Sequence, residues 1–149
     1  MSILNFGFTK ILVEKYTSAT KQIKIQSGMN ILDVSESEMI KDAKQKAFVV
    51  KFAFEIKYEP GVAVINLEGD LIFLAGEEVS KKVAEAWSKN KSLPKDIALN
   101  VFNRILHNCN VESLILSKEM NLPAPIQLPK VRAQQADESK APKAKKLGA

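Results

Sequence analysis

The strongest constraint on the fold is a stretch of strict two-residue alternation between Ala47 and Tyr58. Every second position is apolar, with Lys51, Glu55 and Lys57 on the opposite face: Phe48, Val50, Phe52, Phe54, Ile56 and Tyr58. Successive side chains of a strand point to opposite faces of a sheet, so this pattern predicts a strand with one buried face.

Glu59-Pro60-Gly61 follows this stretch and predicts a tight turn, since proline fixes φ and glycine accepts a positive φ. Val62 to Phe73 alternates again and predicts the returning strand of a long antiparallel hairpin. Gly69 lies within this second strand and indicates either a bulge or a close approach of another backbone.

Two further segments ahead of the hairpin are predicted to be strands. Ile23 to Ile31 alternates between apolar and polar residues, and Phe8 to Tyr16 is rich in residues that favour strands. We expect these two strands to pair with each other. Ser35 to Lys46 is polar and charged, which predicts a loop or a short helical insertion.

After Gly76 the spacing of apolar residues becomes helical and predicts a first helix. Pro94 suits the start of a second helix, whose apolar stripe contains Ile97, Val101, Ile105 and Cys109 and which continues to Met120 after a kink near Cys109. The segment from Leu122 to Val131 contains three prolines, so we expect it to run extended over the surface. Strands followed by helices predict an α+β fold, with an antiparallel sheet and helices packed on one face.

The formal charge of +5 is concentrated at the C-terminus. Residues 130–149 hold six of the 22 basic residues but only two of the 17 acidic ones, so the rest of the chain is nearly neutral. We expect a folded domain over 1–131 and a disordered basic tail over 132–149. Two interpretations of the tail remain open. It is either solvated or contacts the phosphates of RNA or another acidic partner through Lys130, Arg132, Lys140, Lys143, Lys145 and Lys146.

The sequence does not indicate an enzyme. His107 and Cys109 are the single histidine and the single cysteine, and residues two apart on a regular helix point about 200° apart. They therefore do not form a nucleophilic pair, and one of each is too few for a structural zinc site. There is no glycine-rich phosphate loop, so we expect no metal and no cofactor.

The sequence also lacks the features of a secreted or membrane-spanning protein. The N-terminus has no basic region ahead of a long apolar core, and no stretch approaches the roughly 20 apolar residues of a membrane span. We expect a cytoplasmic protein.

The apolar face of the hairpin has two interpretations. Its phenylalanines either form the core beneath the helices or contribute, with the proline-rich segment, to a face that binds clients or a second copy. The candidates for such a face are Phe48, Phe52, Phe54, Leu122, Ile126 and Leu128.

The hairpin, the two helices and the segment Asn121-Leu-Pro-Ala-Pro-Ile-Gln-Leu-Pro129 together resemble the SecB-type export chaperones, and more closely the SecB-like proteins of archaea. The resemblance covers residues 3 to 131, and Leu67-Glu-Gly-Asp-Leu-Ile-Phe73 lies where such proteins have a central strand with a glycine. It implies a four-stranded antiparallel sheet with two or three helices packed on one face. It also implies an ATP-independent holdase, assembled as a dimer of dimers, whose apolar grooves keep chains unfolded for export.

The leading hypothesis is therefore a holdase-like chaperone that binds unfolded or preprotein chains. The alternative is a ribosome- or RNA-associated accessory protein that contacts phosphates through the basic tail.

Overall fold

The predicted hairpin forms the centre of the sheet. In this computed structural model, which describes residues 2–18, 22–38 and 44–129, the strands are β1 (Ser2–Lys15), β2 (Lys24–Ser37), β3 (Gln45–Glu59) and β4 (Ala63–Gly76). They form one antiparallel sheet in the order β1-β4-β3-β2. The helices are α1 (Glu77–Asn90) and α2 (Lys95–Glu119). The predicted α+β fold, a four-stranded antiparallel sheet with helices, is confirmed.

The turn between β3 and β4 also forms as predicted, because Gly61 takes a positive φ of 56°. From this turn the two strands stay in register along their whole length, from Tyr58 opposite Ala63 to Gln45 opposite Gly76.

The predicted partner of β1 is wrong. β1 pairs with β4, at the opposite edge of the sheet from β2. β1 ends beside the turn of the hairpin, where the backbone N–H of Tyr16 donates to the carbonyl of Val62 at 2.7 Å. Strands β2, β3 and β4 form a meander, and β1 lies beside β4. This is the strand order of a Greek key with the direction of the chain reversed.

The physical reason for this pairing is a cluster of three phenylalanines that crosses β4. Phe52 of β3 lies opposite Gly69 of β4, which in turn lies opposite Phe8 of β1. The ring of Phe52 stacks on Phe6 with centroids 5.2 Å apart and meets Phe8 edge-on at 6.4 Å. Since Gly69 has no side chain, the ring of Phe52 can lie over β4 and reach β1.

Gly69 is therefore a point where neighbouring strands approach closely, and β4 has no bulge at this residue. A Cβ atom there would lie 2.7 Å from Cζ of Phe52 and would also clash with the carbonyl oxygen of Gly7. The bulge lies across from it in β1, where the register shifts between Phe8 and Lys10.

Two other features differ from the predictions. Part of the segment predicted as a loop or helix is strand, because β2 runs to Ser37 and β3 begins at Gln45. The predicted kink in the second helix is absent, since α2 runs unbroken through Cys109.

The helices cover one face of the sheet and build the core there. Along β3 and β4 the residues on this face are almost completely buried, and they form one cluster with Val83 of α1 and with Ile97, Val101, Ile105 and Cys109 of α2. After α2 the chain packs Leu122 into the same core, and the Tyr58 hydroxyl donates to the Pro123 carbonyl at 2.8 Å. The predicted tail lies outside the described residues.

Gly69→Ala should lower the free energy of unfolding by about 1–3 kcal/mol, because the new methyl group overlaps both the Phe52 ring and the carbonyl oxygen of Gly7. Gly28→Ala is the matched control in β2, where an added Cβ meets nothing within 4 Å. We expect the control to change stability by less than about 0.5 kcal/mol in urea unfolding. Equal stabilities of the two variants would contradict the close packing at Gly69.

Burial of Cys109 predicts a loss of stability at high pH. Desolvation raises the pKa of its thiol from 9.0 to about 12, so above pH 9 the unfolded chain loses this proton while the folded chain retains it. The contribution of the Cys109 thiol to the free energy of unfolding is fully present below pH 9. It falls by up to about 1.4 kcal/mol per pH unit as the pH rises from there towards 12. Cys109→Ala should therefore show a shallower decline than the unchanged protein in unfolding experiments at pH 8, 9 and 10. Equal declines in the stability of the two proteins would contradict the raised pKa of Cys109.

Candidate functional site

The structure separates the residues predicted to form a binding face. Phe48, Phe52 and Phe54 lie in the core under the helices, with exposed fractions of 4%, 0% and 3%. Leu122 is also buried, whereas Ile126 and Leu128 are exposed. Phe48 and Tyr58, which contacts the proline-rich segment, are separated by ten residues of β3, or roughly 33 Å. The six residues therefore do not form one continuous surface.

Three of the predicted residues line cavities of the described chain: Phe54 lines one on the sheet, Leu122 lines one near the end of α2, and Phe48 lines one beside α1. The cavity beside α1 is a groove of about 350 Å³ between α1 and the β2–β3 side of the sheet, a size at the lower end of ligand pockets. We call it the α1 groove, and its lining residues are Val34, Glu36, Phe48, Val83, Ala84, Trp87, Ser88 and Lys91. Strand and helix together thus give it an apolar floor and one aromatic wall.

The register of the sheet explains why strand residues reach this groove. Val34 lies opposite Val50, and Glu36 lies opposite Phe48, so both side chains point to the face that carries the helices. Val83 lies on the same side of α1 and is fully buried, while Trp87, one turn later, is half-buried. The indole therefore remains accessible at the side of the groove.

Lys91 sits at the mouth of the groove with its backbone fixed. It ends α1 in the left-handed region, with φ of 51°, and its N–H donates to the carbonyl of Trp87 at 3.0 Å. Its Nζ lies 5.4 Å from the centroid of the Trp87 ring, within the range of a cation–π contact. Glu36, the other charged lining residue among those described, lies 3.6 Å from Lys46 Nζ.

The groove adjoins an open edge of the sheet. Within the described part of the chain, β2 pairs with β3 on one side and has no strand on the other. An edge strand leaves backbone N–H and C=O groups without partners in the sheet, and an extended peptide can add to them. Val34 and Glu36 belong to this strand, so a peptide along the edge would pass beside the groove.

A second apolar surface is the outward side of α2. Residues four apart on a helix form a row, and the row turned away from the sheet holds Leu99, Asn103, His107, Val111 and Ile115. Leu99 is 64% exposed and Ile115 is 50% exposed. A flanking row adds Phe102, Leu106 and Leu114, of which Leu106 is exposed. This helix side combines exposed apolar residues with Asn103 and His107, and it carries no partner in the described chain.

The middle of the outer face of the sheet is polar. It carries a cavity of about 500 Å³ that reaches all four strands and is lined by Lys10, Asn30, Asn66 and Glu68 among others. Lys10 and Glu68 form an exposed ion pair across β1 and β4 at 3.4 Å. Charged pairs of this kind keep the face solvated and contribute little to stability.

The residues considered for catalysis lie in different environments. Cys109 is in the core with its pKa raised to about 12 by burial, so it is a neutral thiol. His107 is exposed on the outward row of α2. Among residues 2–18, 22–38 and 44–129, no group of three histidine, cysteine or acidic side chains is placed to hold a metal. No helix of the described chain is long and apolar enough to cross a membrane. The six basic tail residues considered for phosphate contacts lie outside the described residues.

Sequence reasoning missed the α1 groove. Val34 falls between the predicted strand, which ends at Ile31, and the predicted loop or helix, which begins at Ser35, and Trp87 falls in the predicted first helix. Val34 is out of phase with the alternation that ends at Ile31, because the register of β2 shifts between Ile31 and Asp33. A two-residue period therefore gives no signal for it.

No protein-family model matches the sequence, and no curated protein matches it. Among solved structures, the fold is similar to a SecB-like chaperone of Mycobacterium tuberculosis, which was solved in complex with a ChAD peptide from the HigA1 antitoxin. The two chains are 12% identical and superpose with a TM-score of 0.56, over 87% of this chain and 89% of the other. This neighbour is bacterial and gives no support to the closer resemblance to archaeal proteins. The chain has the SecB-like α+β fold.

Proposed function

We propose that this protein is an ATP-independent holdase that binds unfolded polypeptide chains at the α1 groove and the adjoining edge of β2. The observation that carries the proposal is the position of an open apolar groove, walled by Trp87, directly beside an open strand edge. The similar fold of a SecB-like chaperone with a bound peptide supports a polypeptide partner. We further propose that the protein acts in the cytoplasm, with chains destined for export among its clients.

The two parts of the site supply different kinds of binding energy. The edge of β2 offers backbone hydrogen bonds, which any extended sequence can make. The groove offers apolar contact, worth roughly 25 cal/mol per Å² of area removed from water. Because every second side chain of an extended client faces the groove, binding favours apolar residues there without requiring one sequence. Such weak and tolerant binding is what a holdase needs.

Ile126 and Leu128 extend this proposal to the other end of the sheet. Both are exposed on the segment that follows the buried Leu122. A long unfolded chain could contact them as well as the α1 groove, so we retain them as a secondary apolar contact. Phe52 and Phe54 contribute through the core that supports the sheet.

We also propose a homo-oligomer, a dimer of dimers, in which α2 packs against α2 of a second copy. The outward row is nearly symmetric about His107, because Leu99 and Ile115 lie equally far from it, as do Asn103 and Val111. In an antiparallel pair Leu99 would meet Ile115 of the second copy. On the neighbouring row Arg104 would come near Glu112, so the apolar ends of the row and this charged pair are matched, while Asn103 would face Val111.

Ala84→Glu should abolish most client binding, because it places a charge in the groove at an exposed position of α1. A charged carboxylate beside a bound apolar client side chain should weaken binding by about tenfold or more. The measurement is the light scattering of an aggregating unfolded client at increasing concentrations of the protein. Thr9→Glu is the matched control, since Thr9 is exposed on β1, at the opposite edge of the sheet from the groove, and adds the same charge there.

The unchanged protein and Thr9→Glu should both suppress aggregation, and Ala84→Glu should not. Failure of the unchanged protein to slow aggregation would contradict the holdase function. Equal activity of all three proteins would contradict the α1 groove as its site.

Leu99→Glu and Ile115→Lys should each dissociate the proposed oligomer, because each puts a charge against an apolar residue of the second copy. The double variant should restore it, since the introduced carboxylate and ammonium groups would then face each other across an antiparallel contact. The measurement is the absolute mass in solution by light scattering after size exclusion. A monomeric unchanged protein, or a double variant that stays dissociated, would contradict this arrangement.

A further inference from the structure

We propose that the α1 groove selects client segments in which an apolar residue and an acidic residue stand two positions apart. This inference rests on the proposed client binding and adds a preference for one class of sequence. Its basis is the charge of Lys91 at the mouth of the groove, which the other described lining residues leave unneutralised.

Two charged residues line the described groove, and only one of them is balanced by an ion pair. Glu36 lies 3.6 Å from Lys46 Nζ, so its charge is met within the chain. Lys91 contacts the ring of Trp87 instead of a carboxylate. A cation–π contact orients an ammonium group without cancelling its charge, so the groove carries a net positive charge at its mouth.

The position of this charge is set by the backbone. Lys91 is held at the end of α1 by its left-handed conformation and by its hydrogen bond to the Trp87 carbonyl. The side chain of Lys91 then lies over the indole ring of Trp87. The ammonium group and the aromatic wall are therefore presented to a client together.

The spacing follows from the geometry of an extended chain. Residues two apart in a strand point to the same face and lie roughly 6.6–6.8 Å from each other. Lys91 Nζ is 5.4 Å from the centroid of the ring that an apolar client side chain would contact. A carboxylate two residues before or after that side chain therefore comes within reach of Lys91, whereas a lysine at the same position is repelled.

The test uses three fluorescent peptides of otherwise uncharged, extended sequence, each with one leucine and with glutamate, serine or lysine two residues after it. The unchanged protein should bind the glutamate peptide about two- to fivefold more tightly than the serine peptide at low salt, and the lysine peptide most weakly. Added salt should reduce the difference, because the pair is exposed to solvent. Fluorescence anisotropy of the full chain measures each affinity.

Lys91→Asn should remove the preference, so that the glutamate, serine and lysine peptides bind this variant with equal affinity, and asparagine tolerates the positive φ of this position. Lys91→Glu should reverse the order of the glutamate and lysine peptides. Lys82→Asn is the control, because it removes the same charge from an exposed position of α1 outside the groove lining, and it should keep the preference.

Equal binding of all three peptides to the unchanged protein would overturn this inference and leave the holdase function standing. A preference that persists in Lys91→Asn would overturn it as well. Binding of no peptide would overturn both proposals.

Discussion

The arrangement of the sheet depends on the contact between Phe52 and Gly69. An aromatic ring on β3 can stack on a ring of β1 only if the strand between them has no side chain at the crossing point. Gly69 provides that gap, and Phe6, Phe8 and Phe52 close over it. Aromatic contacts of this kind add to the energy of burial, so the pairing of β1 with β4 is held by side chains as well as by its backbone ladder.

This placement of β1 determines where the protein can bind a partner. With β1 beside β4, β2 remains the edge strand on the other side of β3. α1 follows β4 directly and packs across β3 and β4, which leaves the α1 groove between the helix and that edge. The buried side of the hairpin stabilises the sheet, and the binding surface arises at its border, where Val34 forms part of the floor and Trp87 is only partly covered by its neighbours.

Much of the fold was accessible from sequence because its signals are local. The alternation from Phe48 to Tyr58 and the turn at Gly61 identify the hairpin and its buried face without knowledge of any other segment. The partner of β1 was not accessible, because strand propensity does not specify which strand a segment pairs with. The groove was missed for a related reason, since Val34 is far in sequence from Trp87 and Lys91 and meets them only after packing.

The fluorescence of Trp87 gives the most direct measurement of the central claim. It is the single tryptophan of the chain and forms one wall of the α1 groove, so its emission reports on that site alone when the client contains no tryptophan. We predict that adding an unfolded client shifts the emission to shorter wavelength and protects the indole from acrylamide. Emission and quenching that stay unchanged while the client co-elutes with the protein would show that clients bind elsewhere and would contradict the account.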